Sequence, residues 1–224
     1  MTESAVRIPV ALPSGVVEVS GAYGDITGAR SVVAVAHGAG GTFAQPFLEG
    51  LVSALGGLGL ATLRFNFPYS EAGRRLPGPA AHAVSTWSAV EAWIAGERPG
   101  VDFWAAGKSY GGRMASMAAA EGKISPRGLA YLGYPLHPPG APEKLRAEHL
   151  PSIAVPQLFV EGTNDPFVLP HEQLTAVVAA CQDAELVWID GAGHSFDVKG
   201  RKRPADEVGA GLAPIIARRV AECL

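Results

Sequence analysis

Val101 to Ala120 reads VDFWAAGKSYGGRMASMAAA, and the fold turns on this stretch. An apolar run from Val101 to Ala106 leads into Gly107-Lys108-Ser109-Tyr110-Gly111, and a segment rich in alanine and methionine follows. The order is strand, sharp turn, helix. A G-x-S-x-G in that setting holds its serine in a strained backbone conformation at the top of a strand, with glycines where a Cβ would strike the neighbouring strand and helix. Ser109 is therefore the candidate nucleophile. The helix that follows aims free N–H groups and the positive end of its dipole at the place where an oxyanion would develop. This nominates the Tyr110 N–H as one oxyanion donor.

The neighbouring segments alternate in type. Residues 5–23 read as two short strands joined by Pro13-Ser14-Gly15, an antiparallel hairpin at a sheet edge. Ser31 to Ala36 (SVVAVA) is a continuous apolar run suited to a strand buried on both faces, and it ends in His37-Gly38-Ala39-Gly40-Gly41. Such a loop brings a backbone N–H close to a ligand. Ala39 is the nominated second oxyanion donor, with Gly38 and Gly40 as near alternatives. Then come a helix over Pro46 to Leu58, a strand over Leu60 to Phe65, a polar loop over Asn66 to Arg75, and a helix from Pro79 to Ala95.

Beyond the 101–120 stretch the sequence predicts a strand at Gly128 to Tyr134 and a proline-rich loop, Pro135 to Val155, with one candidate helix at Ala141 to Glu148. A strand at Pro156 to Val160, a helix at His171 to Ala180, a strand at Glu185 to Ile189 and a closing helix at Pro204 to Cys223 complete the chain. The alternation implies one domain over residues 1–224: an α/β fold with a mostly parallel twisted sheet, helices on both faces, and ligands outside the carboxyl ends of the strands. The 135–155 interval is too short and too rich in proline for a multi-helix lid.

Two further strand ends carry chemistry. Asp165 lies in Gly162-Thr163-Asn164-Asp165-Pro166, where it serves either as a rigid acceptor for an imidazole N–H or as a turn former. His194 sits among small residues in Gly191-Ala192-Gly193-His194-Ser195-Phe196 after the last strand. The chain order Ser109, Asp165, His194, with about 56 and about 29 residues between successive members, is the nucleophile, acid, base order of the α/β-hydrolase fold.

At this point HGAGG, RFNFPYSEAGRR, GKSYGGRMAS, YPLHPPG, GTNDPF and GAGHSF resemble the α/β-hydrolase superfamily. They are similar to a small dienelactone-hydrolase-like subgroup that includes testis-expressed and chromatin-complex animal relatives. The resemblance implies a triad of Ser109, Asp165 and His194. The chain has serine where dienelactone hydrolase uses cysteine, so that enzyme's substrate does not carry over. The implied activity is a serine hydrolase acting on a small acyl ester or thioester, carboxylesterase- or thioesterase-like, with no cofactor and no metal. A catalytically silent interaction protein and an acyl transferase are the alternatives on the same fold.

Other side chains stand near predicted strand ends. Lys108 and Tyr110 flank the nucleophile, pointing either into the scaffold or at substrate. His137 reads first as a surface loop histidine and second as a pocket residue. Arg64, Arg74 and Arg75 offer a site for an acidic substrate, or an ion pair with Glu71 or another carboxylate.

Bulk properties narrow the class. The 224 residues are 48% hydrophobic and 17% charged with a net charge of −3, which describes a folded globular chain. Its longest basic run is Arg201-Lys202-Arg203, which argues against nucleic acid as a partner. Cys181 and Cys223, placed in predicted helices, form no C-x-x-C and suit a reducing cytoplasm. No apolar run reaches membrane-spanning length, and the N-terminus lacks a signal-peptide pattern. The expected partner is a small-molecule acyl substrate, with no membrane, and the expected state is a monomer or homodimer.

Overall fold

A computed structural model describes residues 2–224. Its framework is one eight-stranded sheet in the order β1-β2-β4-β3-β5-β6-β7-β8. The edge hairpin comprises β1 (Glu3–Leu12) and β2 (Gly15–Gly24), paired antiparallel in the register Leu12 opposite Gly15. β4 (Ala61–Phe65) is antiparallel to β2 and parallel to β3 (Ser31–Ala36). From β3 onward every pairing is parallel, through β5 (Asp102–Lys108), β6 (Gly128–Leu132), β7 (Gln157–Gly162) and β8 (Ala184–Ile189).

The burial of β3, with all six residues inside, follows from its position at the centre of a sheet covered on both faces. Helices α3 (Ala80–Glu97), α4 (Tyr110–Ala120) and α5 (His171–Ala180) pack one face around Trp87, Met114 and Tyr131. Helices α1 (Pro46–Gly57), α6 (Ala205–Ala210) and α7 (Ala213–Glu222) pack the other around Trp104, Leu51 and Ile216. Among the described residues no helix is long and apolar enough to cross a membrane.

The strand order reverses at β3. The chain leaves it for β4 on one side and returns to β5 on the other. A crevice therefore opens at the carboxyl ends of β3 and β5, the switch point where ligands bind in such sheets. The loops that follow these two strands begin at His37 and at Ser109.

Several sequence expectations are corrected. The closing helix is two helices, because Pro214 lacks an N–H and is accommodated only in the first turn of a new one. No helix forms at Ala141 to Glu148. The Arg146 N–H donates to the Leu136 carbonyl at 2.8 Å and its carbonyl accepts the Tyr134 hydroxyl at 2.8 Å, so this backbone is held across the loop rather than along it. A three-residue 3-10 turn, Leu150–Ser152, follows instead. The Asn66 to Arg75 loop contains a one-turn helix, α2 (Pro68–Glu71), opened by its proline. Cys181 and Cys223 stand just past the last turns of α5 and α7 rather than inside them.

Candidate active site

Ser109 has φ 49° and ψ −113°, a conformation that costs a non-glycine residue about 1–3 kcal/mol and persists only when its surroundings enforce it. Two glycines make the enforcement sterically feasible. A Cβ on Gly107 would stand 2.3 Å from the Gly112 nitrogen, and one on Gly111 would stand 2.6 Å from the His37 carbonyl oxygen. The Ser109 N–H donates to the Leu132 carbonyl at 2.9 Å, which ties the turn to β6. The hydroxyl is thereby fixed above the sheet edge.

The structure brings Ser109, His194 and Asp165 into one chain of contacts. His194 Nε2 lies 2.9 Å from Ser109 Oγ, and Nδ1 lies 2.6 Å from Asp165 Oδ2. A carboxylate oxygen can only accept, so Nδ1 carries the proton and Nε2 is free to accept the serine hydroxyl. Asp165 is wholly buried, and its second oxygen accepts the Phe167 N–H at 2.8 Å. The Phe167 ring lies against the imidazole at 4.2 Å between centroids. On the far side of the histidine, Phe196 adopts φ 62° and stacks on Phe47 of α1 at 6.1 Å, anchoring the loop in the core.

The loops bearing the acid and the histidine are braced to each other. The Asn164 N–H donates to the Ala192 carbonyl at 2.8 Å, and the Gly191 N–H donates to Thr163 Oγ1 at 2.8 Å. Such cross-bonds hold a hydrogen-bonded chain in working geometry.

The loop after β3 forms a turn closed by the Gly41 N–H on the Gly38 carbonyl at 3.1 Å, with Gly40 at φ 75°. The Tyr69 hydroxyl donates to the Gly38 carbonyl at 3.4 Å. Among the described residues the N–H groups of Ala39 and Tyr110 have no hydrogen-bond partner. The first N–H of a helix is unpaired by construction, which accounts for Tyr110.

His37 fixes this loop from beneath. Its Nδ1–H donates to the Gly38 carbonyl at 2.8 Å, and its Nε2 accepts the Phe67 N–H at 3.2 Å. Only one neutral tautomer satisfies both bonds. Burial, partly opposed by the bond to Gly38, lowers its pKa to about 4.

Lys108 reaches toward the loop that carries His194. Its ammonium sits 3.4 Å from Ser195 Oγ and 5.5 Å from the centre of the Phe47 ring, beside the histidine loop. Burial lowers its pKa against the pull of Asp165 and Asp197. Tyr110 packs edge-on against Phe67 and Tyr69, and burial pushes its hydroxyl up to about 12.

Of the arginines read either as an acidic-substrate site or as members of an ion pair, Arg64 takes the ion pair. Arg64 is buried and grips Glu3 with two nitrogens, at 3.0 and 2.6 Å, while donating to the Phe43 carbonyl at 2.8 Å. Arg74 and Arg75 are exposed. Glu71 pairs instead with Arg7 at 2.9 Å and accepts bonds from Ser20 and Asn66.

His137 is buried rather than on the surface. Its Nδ1–H donates to the Pro138 carbonyl at 2.8 Å, and its backbone N–H donates to the Phe167 carbonyl at 3.2 Å. It braces the segment that carries Asp165.

Glu161, which the sequence did not single out, is also wholly buried. One oxygen accepts the Tyr134 N–H at 2.5 Å, and the other has no partner among the described residues. Burial first, and the neighbouring Asp165 second, hold its carboxyl well above the usual range against the Tyr134 bond. A neutral acid at this position leaves a single negative charge beneath the histidine. Its place directly after the continuous apolar run Leu158 to Val160 was the available signal, because a carboxylate in a strand buried at every position needs a partner or a proton.

The chain belongs to the α/β-hydrolase family. The sequence profile described as alpha/beta hydrolase domain matches residues 29–213. An alpha-beta serine hydrolase homologue from Coxiella burnetii is similar in structure, with a TM-score of 0.74 at 24% identity over 98% of each chain. A dienelactone hydrolase from Anabaena variabilis gives 0.76 at 22% identity over 99% of each. A serine hydrolase without lid from Xanthomonas campestris gives 0.72 at 21% identity, covering 98% of this chain and 96% of the other. At these identities the likeness concerns the fold, a dienelactone-hydrolase-like core with no inserted helical cover.

Proposed function

We propose that the protein is a serine hydrolase that cleaves small acyl esters or thioesters through an acyl-enzyme. The observation that carries this reading is the aligned chain from Ser109 Oγ through His194 to Asp165, with contacts of 2.9 and 2.6 Å and one allowed tautomer. A serine hydroxyl is a weak nucleophile without a base, and His194 supplies one.

In this reading His194 Nε2 takes the Ser109 proton as Oγ bonds to the acyl carbon. Asp165 holds the ring and stabilises the imidazolium. The oxyanion is met by the Ala39 and Tyr110 N–H groups, both without other partners among the described residues. When the ester C–O bond, or thioester C–S bond, breaks, His194 returns the proton to the leaving group. Water then loses a proton to Nε2 as it bonds to the acyl carbon, and Ser109 leaves with that proton restored. Ser109 and His194 are both partly exposed, which favours water as acceptor over the exclusion an acyl transferase requires.

A fluorophosphonate should label the wild type and not Ser109→Ala, since only the activated hydroxyl reacts fast. With little apolar cover, each added methylene lacks up to about 0.8 kcal/mol of burial. The kcat/KM on p-nitrophenyl esters should therefore be greatest from acetyl to butyryl and fall beyond about eight carbons. Absence of labelling from the folded wild type would overturn the reading in favour of a silent interaction protein, and labelling that survives Ser109→Ala would remove Ser109 as the nucleophile. A maximum at twelve carbons would overturn the small-substrate part alone.

A further inference from the structure

Past β6 the hydrogen bonding to β7 runs on into the next turn. The Gly133 N–H donates to the Val160 carbonyl at 2.9 Å, and the Tyr134 N–H, next in the chain, donates not to backbone but to Glu161 Oε1 at 2.5 Å. Glu161 and Tyr134 are both wholly buried. Water cannot replace a bond sealed from solvent in this way, so the carboxyl is a fixed anchor for the turn that follows β6.

That turn is shared by Ser109 and His194. The Leu132 carbonyl accepts the Ser109 N–H at 2.9 Å. Gly133 has φ 71°, and a Cβ built on it would stand 3.2 Å from the His194 carbonyl oxygen and 3.3 Å from His194 Nδ1. The imidazole therefore rests on Gly133 at the nitrogen that bonds to Asp165 Oδ2 at 2.6 Å. A displacement of residues 132–134 moves Ser109 and His194 relative to each other, and the bond from Tyr134 to Glu161 holds the far end of that segment.

Glu161 does this with no cation paired to it. Among the described residues it makes no ion pair, its second oxygen has no partner, and the like charge of Asp165 opposes its ionisation. A wholly buried carboxyl with one N–H partner keeps its proton, and the neutral acid still accepts that N–H through one oxygen. We propose that Glu161 is a positioning residue for Ser109 and His194 and that it acts uncharged, holding the turn beneath the imidazole without adding a second negative charge there to that of Asp165. The reaction it serves rests on the hydrolase reading; the placement of the imidazole does not.

The test compares Glu161→Gln, an uncharged side chain of the same size, with Glu161→Met, which keeps the volume and loses the acceptor. On p-nitrophenyl butyrate the Gln variant should stay within about threefold of the wild-type kcat, whereas the Met variant should lose about tenfold or more with KM unchanged, because a buried N–H without an acceptor must move. Should the Met variant not fold, Glu161→Asp, which withdraws the same carboxyl by one methylene, takes its place with the same loss expected. The charged and titratable groups around the imidazole are Asp165 past β7, Asp197 in its own loop, Lys108 of β5 and His137 behind Phe167, and every variant retains them. The acid limb of kcat/KM should therefore coincide in the wild type and the Gln variant; removing an ionised Glu161 would instead destabilise the imidazolium and move the limb to lower pH. In an arm that needs no turnover, the low-field proton resonance of His194 Nδ1–H should be the same in the wild type and the Gln variant and be broadened or lost in the Met variant. Normal kcat in the Met variant, a Gln variant as slow as it, a limb displaced by about half a pH unit or more, or a resonance indifferent to Met would overturn the proposal. A wild type silent on esters whose resonance responds as stated would overturn the hydrolase reading alone.

Discussion

At the amino ends of the parallel strands lies the largest of the described cavities, about 790 Å³, walled in part by Arg98, Asp102, Arg127, Asp183 and Glu222. The carboxyl ends hold Ser109, His194 and Asp165 in hydrogen-bonded line. Cavity size and chemistry thus point to opposite edges of one sheet. The amino edge is roomier, but four of its polar groups are committed: Arg98 to Asp25, Asp183 to Arg219, Glu222 to Arg218, and Arg127 to the Cys223 carbonyl at 2.9 and 2.6 Å. The carboxyl edge holds uncommitted groups: the Ala39 and Tyr110 N–H and a serine in a strained conformation. A group already satisfied within the protein has little to offer a ligand. In the proposed reading, function follows unsatisfied polar capacity more closely than it follows hollow volume.

The largest effect that sharpens this contrast is expected at Asp165. Asp165→Asn keeps the volume of a wholly buried side chain but presents an N–H or a weaker acceptor to His194, favouring the wrong tautomer. The equivalent substitution in serine proteases lowers kcat by about 10⁴, and turnover here should fall by about 10³ to 10⁴ with the fold retained. Near-normal kcat, with an unchanged circular dichroism spectrum, would mean that another group orients the histidine.

How far the sequence reveals each edge depends on the range of the forces involved. The elbow was legible because strand, glycine, serine, glycine and helix are contiguous, and the local sterics at Gly107 and Gly111 alone demand them. The HGAGG loop, Asp165 and His194 were legible because each follows an apolar run at a strand end. Glu161 was not, since nothing along the chain shows that one of its oxygens meets the Tyr134 N–H. The same holds for His137, which reads as a polar loop residue until Phe167 and Pro138 are seen to take its hydrogen bonds. The missing helix at 141–148 failed for a related reason. Its propensity was overruled by bonds from Arg146 to Leu136 and Tyr134.

A smaller effect, visible as stability rather than rate, is expected beneath the loop that follows β3. The folded pKa of His37 is about 4 because of burial, below the ordinary 6.5 that applies once the chain unfolds. Between these values the unfolded state binds more protons, so stability is complete above about pH 6.5 and is lost as pH falls toward 4. The His37 contribution is about 3 kcal/mol across that window. His149, also at about 4, has the same sign. Urea unfolding from pH 7.5 to 4 should show the combined decline in the wild type and a shallower one in His37→Asn, which retains only the His149 part. Equal slopes in the two proteins would show that His37 does not hold the loop as the neutral imidazole.

The smallest effect is expected at the amino edge, and it is the one that could break the comparison. Arg127 reaches the Cys223 carbonyl with both Nε and Nη2, and it lines the large cavity. If that cavity were the working site, its removal would be felt in turnover. The geometry gives Arg127 a different task, tying the end of α7 to the start of β6 through one exposed carbonyl. Water can replace an exposed bond of that kind, so Arg127→Met should cost no more than about 1 kcal/mol of stability. Turnover should change by less than about twofold, because the two edges are separated by the full length of the strands and share no hydrogen bond through which the change could be felt. Steady-state kinetics on p-nitrophenyl butyrate would check this directly. A tenfold loss with an unaltered thermal midpoint would mean that the roomy edge takes part in the chemistry, and that satisfied groups there exchange partners when substrate arrives.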